Sequence, residues 1–195
     1  PLVREALTNY FVGNMIERWA LDITDVVDHL EEWNTEGRFS GHLDLAKLGV
    51  FGHSRGGGAA GESLLTDSRI KAGANIDGVQ WGQIVDTLFQ QPFLYISSDW
   101  PASHENLGQH AYINKSNSYF YEALIKQSGH SNFMDIPLMI PVKALSQAGN
   151  IHPKKALDIT NQLLVSFFDK HLKSKEVDWN KIALEHELLD LTIYK

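Results

Sequence analysis

The sequence predicts an α/β fold, in which helices cover both faces of a mostly parallel sheet. Two observations predict it: short apolar runs alternate with helical stretches along the chain, and turn-forming residues close these runs. The 195 residues suit one domain, and 43% hydrophobic with 21% charged residues is an ordinary globular balance. We therefore expect residues 1–195 to form a single domain with a sizeable core.

Composition excludes several functional classes. The net charge of −7 has the wrong sign for a sequence-independent nucleic-acid binder, so we expect no nucleic-acid partner. The absence of cysteine excludes disulfides, a thiol nucleophile and cysteine-based zinc sites. No uninterrupted apolar run approaches the length of a membrane span.

The first part of the chain predicts a helix, a strand and a second helix. Apolar residues recur at helical spacing over residues 14–33, whereas residues 9–13 are typical of a break. A turn-rich polar link then leads to a short apolar run at residues 47–52, which predicts the first strand. Small residues open the next helix directly after Ser54, and this helix is expected to end near Thr66.

The second part predicts three more strands and one long helix. The strands are the apolar runs at residues 71–76, 92–97 and 119–125. An apolar stripe predicts a helix over residues 158–172, while the tail from Val177 has no clear pattern. In a parallel sheet the carboxyl ends of the strands share one edge, where ligands bind, so side chains that follow the strands should lie along one rim.

A glycine-framed serine lies between the first strand and the helix that follows it. The sequence is Gly52-His53-Ser54-Arg55-Gly56, which matches the G-x-S-x-G nucleophile elbow of α/β-hydrolases. A Cβ at Gly52 or Gly56 is expected to clash in so tight a turn. The elbow predicts Ser54 as a nucleophile and the backbone N–H of Arg55 as an oxyanion donor. An incidental serine in a glycine-rich turn is the other interpretation.

A nucleophilic serine needs a base and an acid, which in this fold follow it in the order Asp or Glu, then His. His130 lies in a short loop after the last predicted strand and is the candidate base. His53, inside the elbow, is expected to point away from the reaction. Asp77 and Asp99 each follow a predicted strand, and spacing alone leaves both open as the acid or as ordinary turn residues.

Three segments resemble the platelet-activating-factor acetylhydrolase family of the plasma type. They are Gly52-His53-Ser54-Arg55-Gly56-Gly57, the pair Ile76-Asp77, and Gly129-His130-Ser131-Asn132-Phe133-Met134-Asp135. Further similarity extends the resemblance over roughly residues 14–180. It implies an α/β-hydrolase fold, a triad of Ser54, Asp77 and His130 in preference to Asp99, and a secreted or periplasmic location. Arg55 departs from the family, where an aromatic residue more often follows the serine.

The resemblance also implies that part of the fold precedes this chain. Only 53 residues come before Ser54, and they predict helix rather than the strands that the family places ahead of its elbow. The sequence therefore looks like the carboxyl-terminal half of an α/β-hydrolase domain. We expect the amino-terminal half, with the second oxyanion donor, to be another segment or another chain.

Two functional hypotheses follow. The first is a serine esterase that cleaves short-chain or phospholipid-type acyl esters through an acyl-enzyme, with no metal or organic cofactor. Polyesters, as in cutinase-like enzymes, or chlorophyllase-like substrates are alternatives within it, because similar elbows occur in those esterases. The second hypothesis is a catalytically silent hydrolase-fold protein that binds a lipid or a partner.

Three apolar elements are candidates for a substrate pocket or a lipid-facing surface. They are Trp81, Trp100 and the apolar loop at residues 137–142, which follows the histidine loop. Such residues would favour contact with a membrane or lipoprotein surface. Packing in the core is the other interpretation of each element.

Overall fold

The computed structural model describes residues 2–85, 87–99, 119–140, 142–146 and 148–194. Within these residues, five strands form one sheet in the order β1-β2-β3-β4-β5. The strands are β1 (Leu48–His53), β2 (Ile70–Ile76), β3 (Phe93–Ser98), β4 (Phe120–Ile125) and β5 (Leu189–Tyr194). The first four run parallel, and β5 joins the edge of the sheet antiparallel to β4.

Helices lie on both faces of this sheet. They are α1 (Leu2–Thr35), α2 (Arg55–Thr66), α3 (Ile136–Met139), α4 (Lys143–Ser146), α5 (Pro153–Lys173) and α6 (Trp179–Glu185). Single 3₁₀ turns occur at Leu45–Lys47, Gln83–Val85 and His130–Phe133. α1 and α2 contribute to the core on one face, and α5 and α6 contribute to the core on the other. The predicted α/β fold is therefore confirmed.

Alternating side chains of the strands build two apolar layers. Leu94 and Ile96 of β3 belong to the layer under α5, while Phe93 and Tyr95 belong to the layer under α1 and α2. All six residues of β3 are buried, as expected for a central strand covered on both faces. This burial explains why β3 is readable in the sequence as a continuous run of mostly apolar residues.

Two expectations about the helices are wrong, and the tail without a clear sequence pattern forms regular structure. α1 runs without a break through residues 9–13, because weak helix formers cost only up to about 1 kcal/mol each and do not stop a long helix. α5 begins at Pro153 rather than at residue 158, since proline suits the first turn of a helix. The unplaced tail forms α6 and β5, and the burial of β5 alternates in the manner of an edge strand.

The opposite edge of the sheet is open among the described residues. β1 pairs only with β2 there, and an apolar groove of about 600 Å³ lies between β1 and α1. Its lining includes the exposed side chains of Trp19, Val26 and Phe51, together with Gly52 and Gly56 of the elbow. None of the described helices is both long enough and apolar enough to cross a bilayer.

Candidate active site

The turn between β1 and α2 holds Ser54 in an unusual backbone conformation. Its φ of 57° and ψ of −126° lie outside the regions that residues other than glycine prefer. Backbone bonds fix it: the Ser54 N–H donates to the carbonyl of Ile76 at 2.8 Å, and the Ser54 carbonyl accepts from Gly57 at 2.9 Å. A Cβ on Gly52 would overlap the Gly56 backbone, as expected, whereas one on Gly56 would meet open space, so that expectation is wrong.

The structure brings Ser54, His130 and Asp77 together from the ends of three different strands. His130 Nε2 lies 3.1 Å from Ser54 Oγ, and His130 Nδ1 lies 2.7 Å from Asp77 Oδ2. The Asp77 side chain is fully buried, and its second oxygen, Oδ1, accepts from the backbone N–H of Ser98 at 2.7 Å. With the carboxylate accepting from Nδ1–H, the Nε2 lone pair of a neutral imidazole faces the serine hydroxyl.

Asp99, the alternative acid, serves another loop. Its carboxylate accepts from the backbone N–H of Gln127 at 2.9 Å, and its own N–H donates to the carbonyl of Ser128 at 3.2 Å. These bonds tie the end of β3 to the turn after β4. The structure therefore places Asp77, and not Asp99, against the His130 ring, in agreement with the order that the resemblance implied.

The loop that carries His130 is fixed from within. The side-chain oxygen of Asn132, a fully buried residue, accepts from the backbone N–H groups of Gly129 and Gly149, both at 2.8 Å. Ser131 Oγ donates to the carbonyl of Ser146 at 2.5 Å. The His130 side chain itself is 44% exposed, so the base is accessible from outside while its acid partner is sealed.

His53 does not point away from the site, and that expectation is wrong. Its ring packs on the ring of His130, with centroids 4.4 Å apart and a 34° angle between the planes. The ring centroid of Phe133 lies 6.0 Å from that of His53. Burial, and next the nearby charge of His130, lower the pKa of His53 from its usual value. His53 therefore favours its neutral form beside the candidate base. No local sequence signal indicates this contact, because the two rings are brought together by the sheet.

The remaining candidates have mixed outcomes. Arg55 is the first residue of α2, so its backbone N–H is among those that lack an acceptor within the helix, and it directly follows Ser54. Trp81 is half-buried in the segment after Asp77, and its role in a pocket stays a prediction. Trp100 lies outside the described residues. The roles of the triad and of the Arg55 N–H likewise stay predictions that the geometry supports.

The segment predicted as an apolar loop at residues 137–142 is partly helical. α3 covers its first half, and proline at the second position of that helix suits its first turn. Pro137 is buried, but Leu138, Met139 and Ile140 are exposed. Core packing is therefore the wrong interpretation for these three side chains.

The arrangement is suited to nucleophilic chemistry at Ser54. His130 can accept the hydroxyl proton at Nε2, and the buried carboxylate of Asp77 can balance the charge of the imidazolium that forms. In the part of the chain that the structure describes, no group of three or more His, Cys, Asp or Glu side chains is placed to hold a metal ion.

The chain is similar to a known protein family over most of its length. The sequence profile of the family described as "Platelet-activating factor acetylhydrolase, isoform II" matches residues 22–190. A platelet-activating factor acetylhydrolase of Gallus gallus is 29% identical over 169 residues, which are 82% of this chain and 38% of that protein. The enzyme of the same name from Cavia porcellus is 29% identical over 159 residues, which are 74% of this chain and 35% of that protein.

Two further proteins are similar. A probable 1-alkyl-2-acetylglycerophosphocholine esterase of Arthroderma benhamiae is 26% identical over 151 residues, 67% of this chain and 39% of that protein. The solved structure of a ferulic acid esterase from Streptomyces cinnamoneus superposes with a TM-score of 0.73 at 23% identity, covering 94% of this chain and 56% of that one. This likeness supports the α/β-hydrolase fold. The chain spans less than two-fifths of the length of these curated relatives.

The two aspartates provide a matched test of the site. Reaction of Ser54 with a fluorophosphonate probe should vanish in Ser54→Ala and should slow by about 10³-fold or more in Asp77→Asn, because the amide cannot hold the imidazole in the required tautomer. Asp99→Asn should change the labelling rate less than threefold, since Asp99 does not touch His130. Labelling is followed by intact-mass spectrometry, and equal rates for the two variants would contradict the assignment of Asp77.

Proposed function

The chain belongs to the family of platelet-activating factor acetylhydrolase, isoform II, and from this premise we propose that it carries the triad of a serine esterase. The observation that carries the proposal is His130, whose two ring nitrogens contact Ser54 Oγ and the Asp77 carboxylate at the same time. The sealed acid, the accessible base and the strained serine turn support it. A catalytically silent binding protein would have no need of these three features together.

The proposed reaction is acyl transfer through Ser54. The serine oxygen attacks the ester carbonyl as His130 Nε2 takes its proton, and Asp77 balances the imidazolium. The carbonyl oxygen, now negative, accepts a hydrogen bond from the backbone N–H of Arg55 at the start of α2, where the helix dipole adds to the attraction. His130 then protonates the leaving alcohol, and a water molecule activated by the same imidazole releases the acid.

We propose a short-chain or phospholipid-type acyl ester as the substrate. The support comes from relatives: two are named platelet-activating factor acetylhydrolase, and a third is named for an esterase acting on a 1-alkyl-2-acetylglycerophosphocholine. The ferulic acid esterase supports the fold alone at its level of identity. Polyester and chlorophyllase-like substrates remain the alternatives that an ester series would reveal.

Hydrolysis of p-nitrophenyl esters tests this proposal. We expect kcat/KM to be highest for acetate and to fall as the acyl chain lengthens to palmitate, and we expect all turnover to vanish in Ser54→Ala. Release of p-nitrophenol is measured by absorbance, with circular dichroism to show that the variant is folded. An intact protein that hydrolyses none of the esters would support the silent binding protein instead.

We also propose that the segment after the His130 loop contacts a lipid surface. Met139 is 78% exposed, Leu145 is 72% exposed, and Leu138 and Val142 are about half exposed. Contiguous exposed apolar side chains of this kind mark interaction sites more often than scattered ones do. Because α3 directly follows the loop of His130, this apolar patch of α3 and α4 would bring the triad to the lipid.

A matched pair of variants tests the lipid contact. Leu138→Ser with Met139→Ser should weaken binding to phosphatidylcholine vesicles by about tenfold or more, because each buried apolar side chain is worth about 1.5–3 kcal/mol. Leu184→Ser is the control, because this side chain is 86% exposed but lies on α6, outside the patch, so its loss should leave vesicle binding unchanged. Cosedimentation measures binding, and hydrolysis of soluble p-nitrophenyl acetate should be the same in all three proteins. Equal binding would rule out the patch.

In the part of the chain that the structure describes, β1 has an open edge, and this edge supports a further part of the proposal. We propose that this chain supplies the carboxyl-terminal half of one domain, and that a strand from another segment or chain pairs with β1. The apolar groove beside β1 and the exposed Phe51 would then be covered. Because Gly52 and Gly56 of the elbow also line this groove, a segment that occupies it would place the second oxyanion donor near Ser54.

Hydrogen exchange of the intact protein isolated from its source tests this pairing. The outward-facing N–H groups of β1 should be as protected as those of β2, because each would be bonded to a neighbouring strand. Exchange is measured by mass spectrometry of peptic peptides over residues 48–53 and 70–76. Exchange of the β1 amides at the rate of exposed loop amides would show that the edge is free.

A further inference from the structure

Two buried amide side chains lie between the candidate acid and the nucleophile helix, and the triad chemistry does not use them. Asn75, in β2, is 0% exposed, and Gln80, after the turn that carries Asp77, is 2% exposed. An amide buried without hydrogen bonds costs about 1–3 kcal/mol in proteins, so such groups are kept only where they are well bonded.

The two amides are joined in one chain of hydrogen bonds. Asn75 Oδ1 accepts from the Gly78 N–H at 2.9 Å, and Asn75 Nδ2 donates to the Gly78 carbonyl at 2.9 Å and to Gln80 Oε1 at 3.0 Å. Gln80 Nε2 donates to the carbonyl of Gly58 in α2 at 2.8 Å. The turn after β2 is thus connected to the first turns of the helix that begins after Ser54.

Helix α2 is shaped to accept these two side chains. A Cβ on Gly57 would overlap Asn75 Oδ1, and a Cβ on Gly61 would lie 2.5 Å from Gln80 Oε1. Four of the first seven residues of α2 are glycine, which lowers helix propensity by about 1 kcal/mol each. The close approach of the amides gives a structural reason for glycine at two of these positions.

Asp77 itself lies between the bonded positions Asn75 and Gly78, directly before Gly78. Its φ of 52° lies in the left-handed region, which costs a residue with a side chain about 1–2 kcal/mol. The side-chain amide of Asn75 bonds to both the N–H and the carbonyl of Gly78, and so it fixes the residue that directly follows Asp77. Strain of this kind persists only where surrounding contacts fix the backbone more than once.

Resting on the proposed function, we propose that Asn75 and Gln80 are positioning residues, which lock the Asp77 turn to helix α2 and so hold acid and nucleophile in register. Their side-chain hydrogen bonds are to Gly78, to Gly58 and to each other, and none of these is to His130. Their action passes through the backbone: Gln80 holds α2 near its start, Asn75 holds the turn, and Asp77 Oδ2 is thereby kept at bonding distance from His130 Nδ1.

Gln80→Met tests the proposal, with Gln91→Met as its matched control. Both substitutions replace an amide by an apolar chain of similar length, and both remove a bond to a carbonyl of α2, since Gln91 Nε2 donates to the carbonyl of Leu64 at 3.1 Å. Gln91 has no bond to the Asp77 turn. Both variants should therefore lose some thermal stability, but only Gln80→Met should loosen the acid.

We expect Gln80→Met to lower kcat for p-nitrophenyl acetate by about 10- to 100-fold with little change in KM, because small misplacements of a catalytic group are this costly. The downfield proton resonance of the His130 Nδ1–H bonded to Asp77 should weaken or shift in this variant. In Gln91→Met both kcat and this resonance should match the wild type. Unchanged kcat and resonance in a folded Gln80→Met protein would overturn the proposal.

Two further arms keep the outcome decisive. Gln80→Asn, one methylene shorter, cannot bridge Asn75 and Gly58 and replaces the methionine variant if that does not fold. If the wild type hydrolyses no ester, the proposed function fails, and the rate of Ser54 labelling by a fluorophosphonate then decides the positioning role. That rate should fall in Gln80→Met and stay unchanged in Gln91→Met, and equal rates would refute the role.

Discussion

The hydrogen bond between His130 Nδ1 and the buried carboxylate of Asp77 is the interaction on which the site depends. It joins the loop after β4 to the turn after β2, with β3 between them in the sheet. Only parallel strands bring those two loops to the same edge. Ser98, at the end of β3, completes the contact through its N–H, so every one of these three strands contributes to holding the acid. The helices on the two faces serve the site by keeping these strand ends in register.

The parts of the fold that were predictable share one physical cause. β2, β3 and β4 are mostly buried because both faces of the sheet are covered there, and β1 to β4 could all be predicted from their apolar runs to within one residue. β5 is an edge strand with alternating burial, so its apolar residues do not form the continuous run that marks a buried strand. The start of α5 and the continuity of α1 could not be predicted, because the helix propensities of single residues are too weak to fix where a helix begins or is interrupted.

The site shows the same division between local and distant causes. The elbow around Ser54 is a local motif, readable because its glycines and its strand and helix are adjacent in the chain. Asp77 and Asp99 present almost equal local signals, and only the course of the loop after β4 separates them in the structure. The ring of His53 and the amide of Gln80 were beyond sequence reasoning, because the ring of His130 and the Gly58 carbonyl that they contact come from other elements.

The order of the strands has a consequence for how the sheet is built. Among the described strands, order in space follows order in the chain, so each of them can be added beside the one before it, and none of them has to be inserted between two already paired. During synthesis, which delivers residues one by one, β1 to β4 can dock in turn as they emerge. The serine turn is then complete well before His130 has been synthesised, and the antiparallel β5 closes the sheet last.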